Sequence, residues 1–474
     1  MITKKIIKKL FARFFSISVF LCCLDSFAAD ANNPDFNGNY FVKSRGYSSN
    51  PESDPPQYVH QLDRTGIEAF KDLNWIDAGL NYRMRFESRK NDFRRSRDTT
   101  DNVFLSRTQA YFGIKEIADP FRFAIEIQDS RRHNSKFRQF SGDVNKVDLF
   151  QGYGELYFKN PSFLDRPISI RAGRMAYEVI DRKMFSRDEW GNTGTNFQGF
   201  RAIIGKRKND WQFDSFALQP IDKEIEDADR RNKDMWIYAA ILNWRRWSDV
   251  VTIQPFYFRL DQRKTNQTDN RLINSPGLRF YGLVGDTEID YDFIGVYQFG
   301  ESAQEQHQAY AFASEIGYTQ KHLWEPRYSL VYGYASGDKN PNDNKTQRFE
   351  RFYGFNRPWS NSNHIEWENL EAIKTRVEFK PAKKIKIESS YSFYWLASAS
   401  DGWTRGNLRD ETGANGKAIG QDFDFRTHFP ISNYLKATLG YAHFIPGKFA
   451  RNVGRSGSSD FIYLELTFNI FGNK

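Results

Sequence analysis

The chain has 474 residues, 39% of them hydrophobic and 16% aromatic, and its mean hydropathy is −0.69. So polar a chain with so many aromatic residues is unusual for a soluble core, but is typical of a membrane barrel with aromatic girdles and a wet interior. The first 28 residues hold five basic residues and one acid, so the remainder carries +5 of the net charge of +9, which does not indicate nucleic-acid binding.

The N-terminus has the pattern of a secretory signal peptide. Five basic residues lead into an apolar run, Phe14–Leu24, that is shorter than the about 20 residues needed to span a bilayer. Ser26 and Ala28 supply the small residues of a cleavage site, so we predict a signal peptide of residues 1–28. Cys22 raises the alternative of a lipoprotein, but the leucine before it is too large for that cleavage site. Both cysteines lie in this signal, which excludes disulfides and thiolate metal sites from the mature chain.

Residues 29–74 show little periodic pattern and are predicted to form an N-terminal periplasmic extension. Within them, the proline-rich run at 51–56 indicates a stiff, non-helical linker. The extension is therefore not expected to form a domain with its own core.

From Trp75 onward, apolar and polar residues alternate with the period of a β-strand. Leu80 and Tyr82 share one face of the first such segment, while Arg83 and Arg85 share the other. Most of the predicted strands have about 10 residues, the length that a tilted membrane strand needs. They are 75–89, 103–116, 121–131, 149–159, 168–177, 197–206, 211–220, 235–244, 250–260, 276–284, 289–298, 309–319, 327–336, 368–380, 384–396, 420–429, 434–445 and 460–470.

The connections between these strands alternate between short and long without a break. Residues 117–120 and 207–210 are short connections, whereas 178–196 and 337–367 are long. Bacterial outer-membrane barrels have short periplasmic turns, long extracellular loops and an even number of strands. We therefore predict an all-β fold for residues 75–474, a transmembrane antiparallel β-barrel of about 18 strands in the bacterial outer membrane.

If the apolar face of the strands meets lipid, the other face meets the lumen, and this face is rich in arginine. The planar guanidinium group matches carboxylates, so a ladder of such groups favours the passage of anions. The alternative is that these charges pair with one another and only hold the shape of the barrel. The predicted substrate-pathway residues are Arg83, Arg85, Arg107, Arg122, Arg171, Arg174, Arg201, Arg376, Lys386 and Arg426.

One segment, Gly173–Arg201, brings arginine, acid, amide and tryptophan side chains together around a long connection. We interpret it as a loop that bends into the pore, with Arg174 and Arg201 in the constriction and held by Asp181 or Asp188. The alternative is a loop that packs on itself. The predicted residues of the constriction loop are Asp181, Arg182, Arg187, Asp188, Trp190 and Asn192.

This segment resembles the alginate export family, the outer-membrane porins that release polyuronate polysaccharides. The resemblance rests on Gly-Arg at 173–174, Asp-Arg at 181–182, Trp-x-Asn-Thr at 190–193 and Phe-x-Gly-x-Arg at 197–201. The layout from Trp75 to Phe471 is similar to an 18-stranded barrel of that kind, although the chain does not end on the terminal Phe of many barrels. The resemblance implies a passive channel for an anionic polysaccharide such as alginate, with no cofactor, metal or catalytic residue.

Two other functions remain open. An uptake porin for small anionic solutes needs the same fold and the same lumen charges. The third hypothesis is an outer-membrane enzyme or adhesin. Ser360, Ser362 and His364 lie in one long connection, and a hydrolase could use a serine and a histidine there. The chain has no clustered histidine pair and no Gly-x-Ser-x-Gly motif. The expected partners are outer-membrane lipid, an anionic polysaccharide and periplasmic export proteins, but no nucleic acid.

Overall fold

The computed structural model describes residues 54–472 except 97, 160, 163, 207–208, 246–247, 249, 286, 356 and 383. The predicted signal peptide and the first part of the predicted extension lie outside the described residues. No helix in the described part of the chain is long and apolar enough to cross a membrane.

Within these residues, eighteen long antiparallel strands form a closed barrel. In chain order they are β1 (Ile76–Lys90), β2 (Thr100–Ile114), β3 (Phe121–His133), β4 (Asn145–Phe158), β5 (Ile168–Met175), β6 (Phe197–Ile204), β7 (Trp211–Asp222), β8 (Met235–Trp244), β9 (Thr252–Gln262), β10 (Arg271–Leu283), β11 (Ile289–Ser302), β12 (Glu305–Thr319), β13 (Arg327–Ala335), β14 (Leu370–Ala382), β15 (Ile385–Trp395), β16 (Ala418–Pro430), β17 (Leu435–Pro446) and β18 (Ser459–Asn469). Each strand pairs with the next, and β1 pairs with β18, where Asn81 lies opposite Asn469. Closure gives every strand two neighbours, as a backbone in lipid requires.

Short elements flank these strands. Two-residue strands occur at His60–Gln61, Arg230–Arg231 and Lys345–Thr346. One helix, α1 (Lys448–Val453), precedes β18. Single 3₁₀ turns occur at Leu62–Arg64, Glu68–Phe70 and Ile180–Arg182.

Alternation along each strand separates a lipid face from a lumen face. On β1, Arg85 is buried whereas Phe86 is exposed. On β18, Leu464 is exposed, while the next residue, Glu465, turns inward and lies 3.2 Å from Arg85. Exposed apolar side chains around the wall mark the surface that meets lipid. The predicted faces of the first and last strands are therefore confirmed.

Each of the eighteen predicted strands matches an observed strand, but several extend further on the extracellular side. β12 begins at Glu305 rather than at 309, so that only Ala303 and Gln304 separate it from β11. Both residues have positive φ, 52° and 72°, which suits a tight hairpin. The alternation of short and long connections therefore breaks here. The residues added to β12, 305–308, are polar, as expected for residues beyond the apolar band. The sequence therefore carries no apolar alternation that would have indicated them.

The first described residues of the predicted extension lie at the inner mouth of the barrel. His60 and Gln61 pair with Ala78 and Asp77 near the beginning of β1. Tyr58, which precedes this pairing, is buried. The chain therefore enters the mouth of the lumen before β1 begins. It does so at the end of the barrel that carries the short turns, which is termed the short-turn side.

Candidate functional site

Two connections on the extracellular side fold into the lumen and meet there. Residues 176–196, between β5 and β6, are termed the constriction loop, and residues 336–369, between β13 and β14, the cross loop. The amide of Ser186 donates to the carbonyl of Tyr353 at 2.9 Å, and the amide of Tyr353 donates to the carbonyl of Met184 at 3.1 Å. These backbone hydrogen bonds join the two loops inside the barrel. That the first of them forms the constriction of the pore stays a prediction.

Aromatic side chains pack together in the lumen beside this junction. The ring of Phe185 stacks on that of Phe197, with 4.2 Å between their centroids, and lies 4.9 Å from that of Phe216. The ring of Phe258 packs 5.8 Å from that of Phe352 in the cross loop. The wall residues of this cluster face inward although they are apolar, because the loops give them a dry surface to cover.

Arg83 and Arg107 hold the constriction loop by its backbone. The two residues are cross-strand neighbours on β1 and β2. Arg83 Nη1 donates to the carbonyl of Glu189 at 2.7 Å, and Arg107 Nη1 donates to the same carbonyl at 3.3 Å. Both side chains are buried. These arginines face the lumen as predicted, but they bind the loop instead of standing free in the pore.

Trp190 links the constriction loop to the wall and to the cross loop. The guanidinium carbon of Arg85 lies 3.7 Å from the centroid of its ring, and that of Arg357 lies 3.5 Å from it. The ring of Tyr463, on β18, packs against it at 4.8 Å. A desolvated contact of this kind is worth about 2 kcal/mol, so one ring fastens three parts of the structure.

Asn192 anchors the constriction loop to β2, to β3 and to the connection after β3. Its side-chain amide donates to the carbonyls of Ser106 at 3.2 Å, Arg131 at 3.1 Å and Asp143 at 2.8 Å. The main-chain carbonyl of Asn192 accepts a hydrogen bond of 2.8 Å from Ser130 Oγ. Asn192 was predicted in the constriction loop, and its contacts hold that loop to the wall, while its role in a constriction stays a prediction.

Glu189 keeps a negative charge in the constriction loop, outside the strands. Arg187 Nε lies 2.8 Å from one carboxylate oxygen, and Arg107 Nη2 lies 3.2 Å from the other. Burial raises the pKa of Glu189, but the guanidinium groups of Arg187, Arg107 and Arg83 outweigh it and lower this pKa from 4.5 to about 2. Sequence reasoning missed Glu189, which was not distinguished from the other acids of the segment.

The prediction that Asp181 or Asp188 holds Arg174 and Arg201 is wrong. Arg201 Nη2 lies 2.6 Å from the carboxylate of Asp214, on β7. Asp181 lies 3.0 Å from Lys183 Nζ, two residues along the loop. The amide of Asp188 donates to Ser186 Oγ at 2.9 Å. Arg182, also predicted in the loop, lies 3.3 Å from Glu178. The acids of the loop therefore serve contacts within the loop and to other strands.

Arg174 does not lie on the lumen face with Arg171 and Arg201. Successive residues of a strand point to opposite faces, so residues 171 and 174 cannot share one. Arg171 lies directly opposite Arg201 in the β5–β6 pairing, whereas Arg174 lies opposite Gln198. Arg174 donates to the carbonyls of Leu149 at 2.9 Å and Asp229 at 3.1 Å. Its predicted place in the pathway is wrong, because the spacing of three residues puts it on the other side.

The remaining predicted pathway residues pair with carboxylates of the wall. Arg122 Nε donates to Asp119 at 2.9 Å near the short-turn end. Further round the barrel, Lys386 lies 3.1 Å from Glu378, Arg426 lies 2.6 Å from Glu388, and Arg376 lies 3.3 Å from Glu378. This pairing favours the alternative that these charges hold the shape of the barrel, and a role for them in anion passage stays a prediction.

Open space remains beside the constriction. A cavity of about 440 Å³ lies between the constriction loop and the walls of β1 to β3, with Arg85, Asp188, Trp190 and Asn192 in its lining. Basic residues that sequence reasoning missed also line it. These are Arg89, Arg94, Arg95, Arg132, Lys223 and Arg405. Arg89 continues the inward face of Arg83 and Arg85, so alternation would have found it, whereas the loop residues carry no such signal.

The residues considered for a hydrolase bind other groups. Ser360 and Ser362 donate to the carboxylate of Asp422 at 2.6 and 2.8 Å. His364 Nε2 lies 3.2 Å from Asp92, at the extracellular end of β1. In the described part of the chain, the serines and the histidine thus engage different parts of the wall and form no nucleophile–base pair.

Solved outer-membrane structures share this fold at low sequence identity. OccD3 (OpdP) of Pseudomonas aeruginosa is 11% identical, with 94% of this chain and 100% of that chain covered and a TM-score of 0.59. OccK2 (OpdF) of P. aeruginosa, solved in complex with glucuronate, is 10% identical, with 83% and 97% covered and a TM-score of 0.56. OprD of P. aeruginosa is 8% identical, with 83% and 94% covered and a TM-score of 0.56.

The sequence itself matches a family model. Among curated proteins, no match to this chain was found. The model described as Alginate export matches residues 74–463, which include nearly the whole barrel. The chain therefore belongs to the alginate export family and is a channel of the bacterial outer membrane.

Proposed function

We propose that this channel lets an anionic polysaccharide such as alginate leave the cell. The match of the alginate export model to residues 74–463 carries the proposal. The cavity beside Trp190 supports it, because guanidinium groups and an aromatic ring border the same space. A uronate unit offers a carboxylate that a guanidinium group binds.

The charges that border the cavity suit passage better than tight binding. Arg89 lies 3.0 Å from Glu87, and Arg132 lies 3.0 Å from Asp143. Each guanidinium group is therefore partly neutralised before a ligand arrives, and its attraction for a further carboxylate is reduced. A polymer has to enter, move and leave, which many weak contacts allow and one strong site would prevent. This mode of action needs no catalytic residue and no cofactor.

A second candidate is the uptake of small anionic solutes. The observation that favours it is the pair of hydrogen bonds between Tyr353 and the constriction loop, which narrows the lumen. A narrow passage suits a single sugar acid better than a polymer. The related fold of OccK2, solved in complex with glucuronate, adds support for sugar acids as the chemical class. For export of a polymer, the two loops have to leave a continuous path beside them.

Conductance in planar bilayers tests the substrate class that both candidates share. We expect the purified protein to prefer chloride over potassium in a salt gradient. Oligouronates should reduce the conductance at concentrations where neutral oligosaccharides of equal length have no effect. A preference for potassium, or equal block by the neutral sugars, would contradict an anionic sugar as the substrate.

A further inference from the structure

Residues 54–62 cross the inner mouth of the lumen. His60 pairs with Ala78 on β1, which fixes one end of the segment to the wall. Tyr58 Oη donates to Glu126 Oε1 at 2.7 Å, and Glu126 faces the lumen from β3. The segment thus runs across the wall from β1 past β3 on the short-turn side of the constriction.

Beyond Tyr58, the carboxylate of Asp54 reaches two arginines of the lumen wall. Arg171 Nη1 donates to Asp54 Oδ2 at 2.6 Å, and Arg201 Nη1 donates to the same oxygen at 3.3 Å. Wall carboxylates hold a second nitrogen of each arginine, since Arg171 Nε lies 2.9 Å from Glu155 and Arg201 Nη2 lies 2.6 Å from Asp214. The wall carboxylates therefore orient the two guanidinium groups so that one nitrogen of each converges on a single carboxylate oxygen.

Two tyrosines complete this site. The guanidinium carbon of Arg201 lies 3.7 Å from the ring centroid of Tyr177, and that of Arg171 lies 4.9 Å from that of Tyr153. Tyr177 is only 6% exposed, and its hydroxyl has no hydrogen-bond partner among the described residues. An unpartnered buried hydroxyl is costly, and a ligand that bonds to it removes that cost. The wall and the first residues of the constriction loop thus form the site, whereas its carboxylate comes from the segment that precedes β1.

We propose that residues 54–62 are an internal plug, and that Asp54 stands in for the carboxylate of a sugar acid at Arg171 and Arg201. A sugar acid that reaches the inner mouth displaces Asp54, and the plug then leaves the wall. The identity of the ligand rests on the proposed function, whereas the presence of the plug does not.

When a sugar acid displaces Asp54, one carboxylate replaces another, so the charges of Arg171 and Arg201 keep a partner. The side chain of Asp54 is 37% exposed and can be reached by solutes from the lumen. The plug also depends on Gly79 of β1, since a Cβ there would lie 2.5 Å from the carbonyl oxygen of Tyr58. Gly79 has an ordinary strand conformation, so a larger residue there moves the plug without touching the arginines.

Three variants test the plug in planar bilayers, with D-glucuronate as the probe. Asp54→Asn removes the competing charge, and Gly79→Val pushes the plug away from β1. Gly154→Val is the matched control, because a Cβ at Gly154 meets no atom within 4 Å. All three should show the heat-modifiable migration of a folded barrel. We expect the first two to raise the chloride conductance and to lower the half-blocking concentration of glucuronate about tenfold, since a charge-assisted competitor is gone. The control should match the parent protein.

Unchanged conductance and unchanged half-block in both Asp54→Asn and Gly79→Val would overturn the proposal. The two measurements separate this failure from that of the proposed function. An absence of glucuronate block in the parent protein and in every variant contradicts the sugar-acid substrate. The chloride conductance without sugar still decides whether residues 54–62 close the inner mouth.

Discussion

The guanidinium carbon of Arg357 lies 3.5 Å from the centroid of the Trp190 ring. One residue belongs to the cross loop and the other to the constriction loop, and the ring also contacts Arg85 of the wall at 3.7 Å. A loop inside a wide barrel would otherwise keep much of its conformational freedom. We therefore expect the shared ring to help set how narrow the channel is.

Replacing Trp190 should widen the channel. Trp190→Ala removes two contacts of about 2 kcal/mol each, so the loops should separate more often and the single-channel conductance should rise. Trp190→Phe, which keeps a smaller ring, should fall between this variant and the parent. An Ala variant with the parent conductance would show that the ring does not hold the constriction.

Charge on the lipid face should be poorly tolerated. Leu464 is 40% exposed on β18, and Leu464→Arg should destabilise the barrel by about 2–4 kcal/mol if it lies near the bilayer midplane. The neighbouring Glu465→Gln, on the lumen side, should fold and lose only the ion pairs with Arg85 and Arg83. Unfolding in urea, followed by gel migration, measures both. If Glu465→Gln proved the more damaging change, the assigned faces of β18 would be reversed.

The two faces of the β5–β6 hairpin predict different effects on selectivity. Arg201→Gln removes a lumen charge and should lower the preference for anions in reversal-potential measurements. The effect should shrink at 1 M salt, where the Debye length falls to about 3 Å. Arg174→Gln, on the opposite face, should leave selectivity unchanged and serves as the control. Equal effects of the two substitutions would place the filter elsewhere.

Because of the carboxylate of Glu189, the stability of the constriction loop, and with it the conductance, should depend on pH only in the acidic range. Its pKa is lowered from 4.5 to about 2, so its contribution to loop stability is complete above about pH 4.5 and is lost as the pH falls toward 2. Glu189→Gln should therefore conduct more than the parent protein at pH 7. The difference between them should shrink between pH 4.5 and pH 2. A difference that persisted at pH 2 would show that the charge is not responsible.

The barrel could be predicted from the sequence because its signals are local. Alternation within about ten residues gave the strands and the opposite faces of Leu464 and Glu465. The same rule, applied to residues 171 and 174, would have removed Arg174 from the pore. By contrast, the meeting of Trp190 with Arg357 and the contact of Asp54 with Arg201 join residues far apart in the chain. No local pattern reports such contacts, since they depend on which way a loop or a terminal segment turns inside the lumen.

The length of acidic sugar that the channel passes tests the export of a polyuronate most directly. Purified protein in liposomes would be given end-labelled oligouronates of increasing length, with neutral oligosaccharides of equal lengths as controls. An exporter of an anionic polysaccharide should pass oligouronates well beyond the disaccharide and pass the neutral chains much more slowly. Passage of single uronates alone, or equal passage of charged and neutral chains, would contradict the export of a polyuronate.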